Sequence, residues 1–420
     1  MENQLTTRPA RKLFLLQLEN LREGFLELVC PKQTYAFGDP DAHVRGMVLV
    51  HDEAFFRRAV FGGDVGMGDS FVAGEWSSPD LVDVIRVAAA NIEVLTGRNR
   101  WLSSLTRTAN LVSHKLRANS EQGSRENIEF HYDLGNEFYE LFLDPTMAYS
   151  CAYFRDPGDT LEQAQIQKFD LICRKLELSP EDHLLEIGTG WGGFALYAAS
   201  HFGCRVTTTT ISRQQHDYVA SILARRPEIG ERIELRLQDY RKLEGRYSKL
   251  VSIEMFEAVG YEHWDTFFRC CAEHLSANGL MLLQTITMNE RRFPEYRKDC
   301  DFIQRRVFPG SLLASVSEVL KSVARVSRMQ LAGMEEIGSH YSLTLHAWRE
   351  AFLKELTKVR KLGFDEDFIR LWDYYLAYCE AGFAERYVGD VQLLFQNAPA
   401  RHQATPSAQL ALSHATGPDL

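Results

Sequence analysis

Leu184-Leu-Glu-Ile-Gly-Thr-Gly-Trp-Gly-Gly193 is the stretch on which the fold of this chain turns. An apolar run ends in the acidic Glu186, and glycines then alternate at Gly188, Gly190 and Gly192. The pattern predicts a buried strand over Leu184–Ile187 that turns sharply into a helix over Gly193–His201. Lacking Cβ atoms, the glycines take unusual φ/ψ values and let backbone N–H groups approach a ligand closely. The G-x-G-x-G spacing differs from the G-x-G-x-x-G of dinucleotide-binding turns. A tight turn without a ligand would show the same glycines, but the surrounding chain favours a ligand site.

Working outward, a helix with apolar residues at Ile166, Phe169, Cys173 and Leu176 precedes the turn and stops at Pro180. After it, Val206–Ile211 reads as a β-branched strand and Arg213–Arg225 as a helix. Ile233–Leu237, Leu250–Ile253 and Leu280–Ile286 read as further strands, with helices over Leu345–Leu362 and Glu366–Phe383. Strands alternating with helices imply an α/β fold with a doubly wound, mainly parallel sheet.

Residues 1–120 read as a smaller α+β unit. Short apolar stretches (Leu13–Leu18, Met47–Val50, Ala54–Phe61) alternate there with glycine-rich turns such as Phe61–Gly68, and helices are predicted over Pro79–Leu95 and Trp101–Leu116. The polar run 118–125 is the expected linker to a second domain, 121–396. The Ala-, Ser-, Pro- and Gln-rich end, 397–420, is expected to be a disordered tail.

With 420 residues, 45% hydrophobic and 25% charged, the chain has room for two ordinary globular cores. No apolar run approaches the ~18–20 residues of a membrane span, and Met1–Arg8 lacks the form of a signal peptide, so a cytoplasmic location is expected. The eight cysteines are scattered without a C-x-x-C pair, which argues against a disulfide framework or a metal site. A net charge of -10 gives no support to nucleic-acid binding. A local basic run, with Arg98, Arg100, Arg107, Lys115, Arg117 and Arg125, reads equally as a solvated face or as a patch that meets anionic lipid.

Several longer motifs carry a resemblance. They are His131–Tyr139, Leu143-Asp-Pro-Thr-Met-Ala-Tyr-Ser-Cys-Ala-Tyr-Phe154, Thr210–Gln215, Gln238–Arg241, Met255-Phe-Glu-Ala-Val-Gly260 and Asp301–Gly310. In this order they resemble the cyclopropane-fatty-acyl-phospholipid synthases and the mycolic acid cyclopropane synthases, over roughly residues 126–395. Ser70–Asp80 extends the likeness weakly into the first unit. The resemblance implies a Rossmann-like S-adenosylmethionine (SAM) methyltransferase acting on an unsaturated phospholipid at the inner face of a membrane. A homodimer is compatible with it.

By the same resemblance, Tyr149 and Ser150 contact SAM from a lid. Glu186, Gly188, Gly190 and Gly192 form the turn around its methionine part, Thr210 and Gln215 meet the ribose side, and Asp239 and Tyr240 flank the adenine. The implied reaction places the SAM methyl group on a double bond and leaves a carbocation. A base then removes a proton from the new methyl, closing a cyclopropane ring. Such a site must be dry, so that water does not trap the cation. In the family the base is a bound bicarbonate, and the matching positions are Cys151, Glu257, Gln284, Ile286 and Tyr341. Taken alone, Cys151 reads more readily as an inert buried thiol than as a catalytic one, and Tyr341 reads equally as core packing or as a site residue. Two departures from the family stand out: Gln284 and Ala258 occupy positions that usually carry histidine. Glutamine cannot carry a proton at neutral pH, so an altered base site could yield a methyl-branched or methylene product instead. A non-catalytic SAM- or lipid-binding protein is the remaining alternative.

Overall fold

The computed structural model of the protein describes residues 2–97 and 134–398. The basic run from Arg98 to Arg125, the helix expected over Trp101–Leu116, the linker, the start of the His131 motif and the tail from 399 lie outside the described residues.

The first unit begins with α1 (Glu2–Leu18) and a hairpin of β1 (Phe25–Cys30) and β2 (Gln33–Gly38). Then come β3 (Arg45–Val50), α2 (Ala54–Val72), the short β4 (Trp76–Ser77) and α3 (Leu81–Ala90). Its sheet runs β2-β1-β3-β4, with β1 and β3 parallel and the other pairs antiparallel. β1 and β3 alternate buried and half-buried positions, the period of a sheet with one face on a core.

The second unit continues with α4 (Leu161–Lys175), β5 (His183–Ile187), α5 (Gly193–His201), β6 (Arg205–Thr210), α6 (Arg213–Arg225), β7 (Ile233–Leu237) and β8 (Tyr247–Ile253). It ends with α7 (Trp264–His274), β9 (Leu275–Met288), α8 (Val316–Val326), β10 (Met329–Glu336), α9 (Gly338–Lys354), α10 (Glu366–Ala384) and β11 (Val388–Asn397). A capping box starts α4, where Thr160 and Gln163 each satisfy the other's backbone N–H. The seven strands lie in the order β10-β11-β9-β8-β5-β6-β7. β5 to β9 are parallel, and β11 is inserted antiparallel between β9 and β10. The expected doubly wound, mainly parallel sheet is present.

Phe61–Gly68 is not a turn: these residues lie inside α2, with Gly63 kinking the helix at φ 59°. Two of the glycines there serve close approach. A Cβ on Gly68 would run into the ring of Phe302 and come within 2.9 Å of Tyr374, and one on Gly66 would strike the carbonyl of Arg58. The expected helix over Pro79–Leu95 is divided at Asn91, which caps α3 and receives the backbone N–H groups of Arg22 and Glu23. The helix expected over Leu345–Leu362 starts earlier, at Gly338, and breaks at Glu355.

One hydrophobic core runs through both units. It contains Phe55, Phe71 and Trp76 of the first, and Trp348, Trp372 and Tyr374 of the second. The aromatic rings of Phe71 and Tyr374 are 5.4 Å apart, and those of Phe302 and Tyr374 are 4.8 Å apart. Ion pairs join the same surfaces at Arg86–Glu385 (2.7 Å) and Arg306–Asp69 (2.6 Å). No helix among the described residues is long and apolar enough to cross a membrane.

Candidate active site

β5 and β8 are hydrogen-bonded neighbours whose next strands lie on opposite sides, so the strand order reverses between them. In open α/β sheets a crevice forms at the carboxyl ends of such strands. Here the glycine turn leaves β5 and the segment Glu254–Gly260 leaves β8, and both border one cavity of about 350 Å³. Gly188, Gly190 and Gly192 have φ of 103°, 53° and 86°, the left-handed region that other residues rarely adopt. The N–H groups of Gly188 and Thr189 donate to the carbonyl of Thr209, which pins the turn to β6. A Cβ on Gly190 would meet no protein atom within 4 Å, so the backbone is bare towards open space, as a closely approached ligand requires.

The same cavity holds most of the expected cofactor residues. Tyr149, Ser150, Glu186, Gly188 and Gly190 line it, as do Thr210, Gln215, Asp239 and Tyr240. Gly192 does not. It stands behind the turn as the N-cap of α5, packed against Val219. Glu186 is buried and accepts the Thr208 hydroxyl; burial, against that hydrogen bond, pushes its carboxyl up to about 8. Thr210 donates to Gln215 at 2.8 Å, fixing both at the end of β6. Burial raises Asp239, but paired hydrogen bonds from Arg241 (2.8 and 2.6 Å) hold it below the usual carboxylate range. The Tyr149 and Tyr375 hydroxyls meet at 2.7 Å across the cavity wall.

The base region is organised by Glu254, which the sequence motifs left out. It directly follows β8 and holds a left-handed φ of 47°. Its Oε1 accepts from the Cys151 backbone N–H and from Gln284 Nε2, each at 2.8 Å, and its Oε2 accepts from the Tyr341 hydroxyl at 2.5 Å. These three donors come from three of the positions matched to the bicarbonate site. Glu257 sits one turn on. Its Oε1 accepts from Ile286 N–H (2.6 Å) and the Thr285 hydroxyl (2.9 Å), while its buried Oε2 has no partner among the described residues. Burial first, then the charge of Glu254, pushes the Glu257 carboxyl up to about 7. Burial, reinforced by Glu254, also raises the Tyr341 phenol well above its ordinary value.

Two expected site residues stand back from the cavity. The Cys151 thiol is fully buried and points towards the carbonyls of Ala152 and Ile337; its residue reaches the site through its backbone N–H. Gln284 lies behind Glu254 and orients it. Glu257, Ile286 and Tyr341 do line the cavity. One signal for Glu254 was available: an acidic residue immediately after the apolar strand Leu250–Ile253, where open sheets present ligand-binding groups. Lys168 was also missed. It is fully buried and donates to the Ser150 hydroxyl at 2.6 Å; burial lowers its ammonium pKa, opposed chiefly by Glu254.

Residues 119–393 match the mycolic acid cyclopropane synthetase family. The chain belongs to that family. It is 36% identical to the tuberculostearic acid methyltransferase of Mycobacterium tuberculosis strain H37Rv, over 84% of this chain and 83% of that protein. It is 34% identical to the cyclopropane-fatty-acyl-phospholipid synthase of Escherichia coli K12, over 82% of this chain and 86% of that one. Among solved structures, the mycolic acid cyclopropane synthase CmaA1 complexed with SAH and CTAB superposes with a TM-score of 0.59 at 30% identity, covering 65% of this chain and 98% of that one. The family enzyme described here is thus a SAM-dependent methyltransferase of lipid metabolism, and the bare glycine turn is a fitting cradle for SAM.

Proposed function

We propose that the enzyme methylates the cis double bond of an unsaturated phospholipid acyl chain and removes the resulting proton with its own carboxylate, Glu254, yielding a methylene-branched chain. The observation that carries this reading is the set of three hydrogen bonds that Glu254 accepts from Cys151, Gln284 and Tyr341. With those donors engaged by a fixed anion, they do not fit an additional bicarbonate, and no step is assigned to one.

Bound SAM supplies an electrophilic methyl group. The turn at Gly188–Gly190 and the pair Thr210–Gln215 hold the cofactor end, while Tyr341 and Ile286 line the wall on the acyl side. Attack by the alkene on that methyl would form a new C–C bond as the methyl–sulfur bond breaks, with S-adenosylhomocysteine as the leaving group and a cation on the neighbouring carbon. The anionic Glu254, with Glu257 beside it, lowers the energy of that positive charge in a water-poor site. A hydride shift from the methylated carbon moves the cation onto that carbon. Loss of a methyl proton to Glu254 then leaves a C=CH₂ group.

Ring closure is the second reading: the same proton leaves without the hydride shift, and its electron pair forms the third ring bond. The likeness to the Escherichia coli cyclopropane synthase favours it. The likeness to a relative named for methyl transfer favours the branched product. Vesicles of a monounsaturated phospholipid incubated with SAM and the enzyme in carbonate-free buffer separate the readings. Both products gain one CH₂, but only the methylene product takes up hydrogen over a catalyst. Turnover that stops without carbonate would overturn the assignment of Glu254 as base.

A further inference from the structure

The base region continues into the protein through Gln284. Its Nε2 carries two hydrogens, one donated to Glu254 Oε1 and the other to Oδ2 of Asp390 on β11, at 3.1 Å. Gln284 lies directly opposite Gln392 in the β9–β11 register, and Asp390 is two residues from Gln392 on the same face. The Gln284 carbonyl accepts from Gln392 Nε2 (3.0 Å), whose own carbonyl accepts from Lys175 (2.6 Å). This ladder of amides fixes the orientation of Gln284, so its nitrogen is the atom that faces both acids.

Asp390 is completely buried, and its Oδ1 has no donor among the described residues. Its carboxyl and that of Glu254 flank one amide nitrogen, Gln284 Nε2, which donates to both. Two carboxylates gathered on one amide in a buried site repel unless one of them keeps its proton. The other ionisable groups facing Asp390 are Glu257 after β8, Cys151 in the lid, Tyr341 on α9 and Lys168 on α4. Lys168 already faces Glu254 and Asp144, so this one cation does not balance a third anion.

We propose that Asp390 is a positioning residue for the base: it retains a proton, donates it as a hydrogen bond to Glu254, and leaves Glu254 as the ionised member of the pair. Burial, with the Glu254 charge next, holds the Asp390 carboxyl well above its ordinary range, in the same sense. The inference rests on Glu254 being the base. A hydrogen bond donated to a carboxylate favours its charged form, the form a base needs.

Infrared difference spectra of wild type against Asp390→Asn at pH 7 should show the C=O stretch of a protonated carboxyl group in the wild type. In the pH profile of kcat/KM for methyl transfer, Asp390→Val should move the acid limb upward by about one pH unit, a tenfold change in proton affinity. Asp390→Asn, whose amide can still donate, should hold the limb near its wild-type position. Absence of the infrared band, or an equal shift in both variants, overturns the proposal. If the valine variant does not fold, the spectrum and profile of the asparagine variant decide. A failure of the underlying reading looks different: Glu254→Gln would then keep the wild-type rate, whatever the infrared band of Asp390 shows.

Discussion

Replacing Glu254 by glycine tests the base assignment while favouring the backbone. A residue with a side chain costs about 1–2 kcal/mol in the left-handed region, and at φ 47° glycine removes that cost. Against this, the Cys151 N–H, Gln284 Nε2 and the Tyr341 hydroxyl all lose their acceptor. Each buried donor left unpaired costs about 1–3 kcal/mol, so the empty variant should be less stable than wild type by a few kcal/mol. The vacated space is an anion-sized hole rimmed by three donors. Bicarbonate should therefore raise the melting temperature of Glu254→Gly and leave that of the wild type unmoved; a hundredfold excess over its dissociation constant is worth about 2.7 kcal/mol. Loss of a positioned base typically costs about 10²–10⁴ in rate, or roughly 3–5 kcal/mol. The assay is release of S-adenosylhomocysteine in carbonate-free buffer, repeated with added bicarbonate. Glu254→Gly should be slow without the ion and should recover with it. A variant that is fast without bicarbonate, or one that folds but that no small carboxylate rescues, would refute the reasoning.

Gly190→Val should fill the open space at the glycine turn and abolish SAM binding measured by calorimetry, at a folding cost of about 1–2 kcal/mol for a left-handed non-glycine residue. Because Glu257 rises from an ordinary 4.5 to about 7 on folding, its share of stability is full below 4.5 and is lost as pH rises through 7. Glu257→Gln should remove that dependence, up to about 3 kcal/mol, from melting curves recorded between pH 5 and 8. Cys151→Ser should cost far less activity than Glu257→Gln, since Cys151 serves the site through its backbone and its thiol faces away.

The parts of the fold legible in the sequence are those where local pattern and tertiary role coincide. The β5 turn, α5 and α6 carry their apolar periods and caps in adjacent residues, and the expected ends of both helices match the structure. α2 was misread because its glycines signal a turn when taken locally. The reason for Gly68 lies in Phe302 and Tyr374, which are more than two hundred residues away in the chain. The site divides in the same way. Gly188, Thr210, Asp239 and Glu257 belong to recognisable motifs and line the cavity. Glu254 sits one residue outside its motif, and its role depends on donors from three distant segments that no spacing rule connects. Asp390 was hidden because its partner across the sheet comes from an antiparallel pairing, and such pairings have no signature within a single strand.

The shared face of α10 has a consequence for how substrate preference can change. Tyr375, Tyr378, Cys379 and Phe383 of this helix line the cavity, while Tyr374 is wedged against Phe71 and Trp76 of the first unit. The helix is therefore a party wall, with the cavity on one side and the first unit bracing the other. Substitutions at the bracing side, away from the residues that line the cavity, can move the wall by fractions of an ångström and alter its bore. Such changes leave the chemistry untouched, so a lineage can retune the acyl chains it accepts without risking the machinery that modifies them.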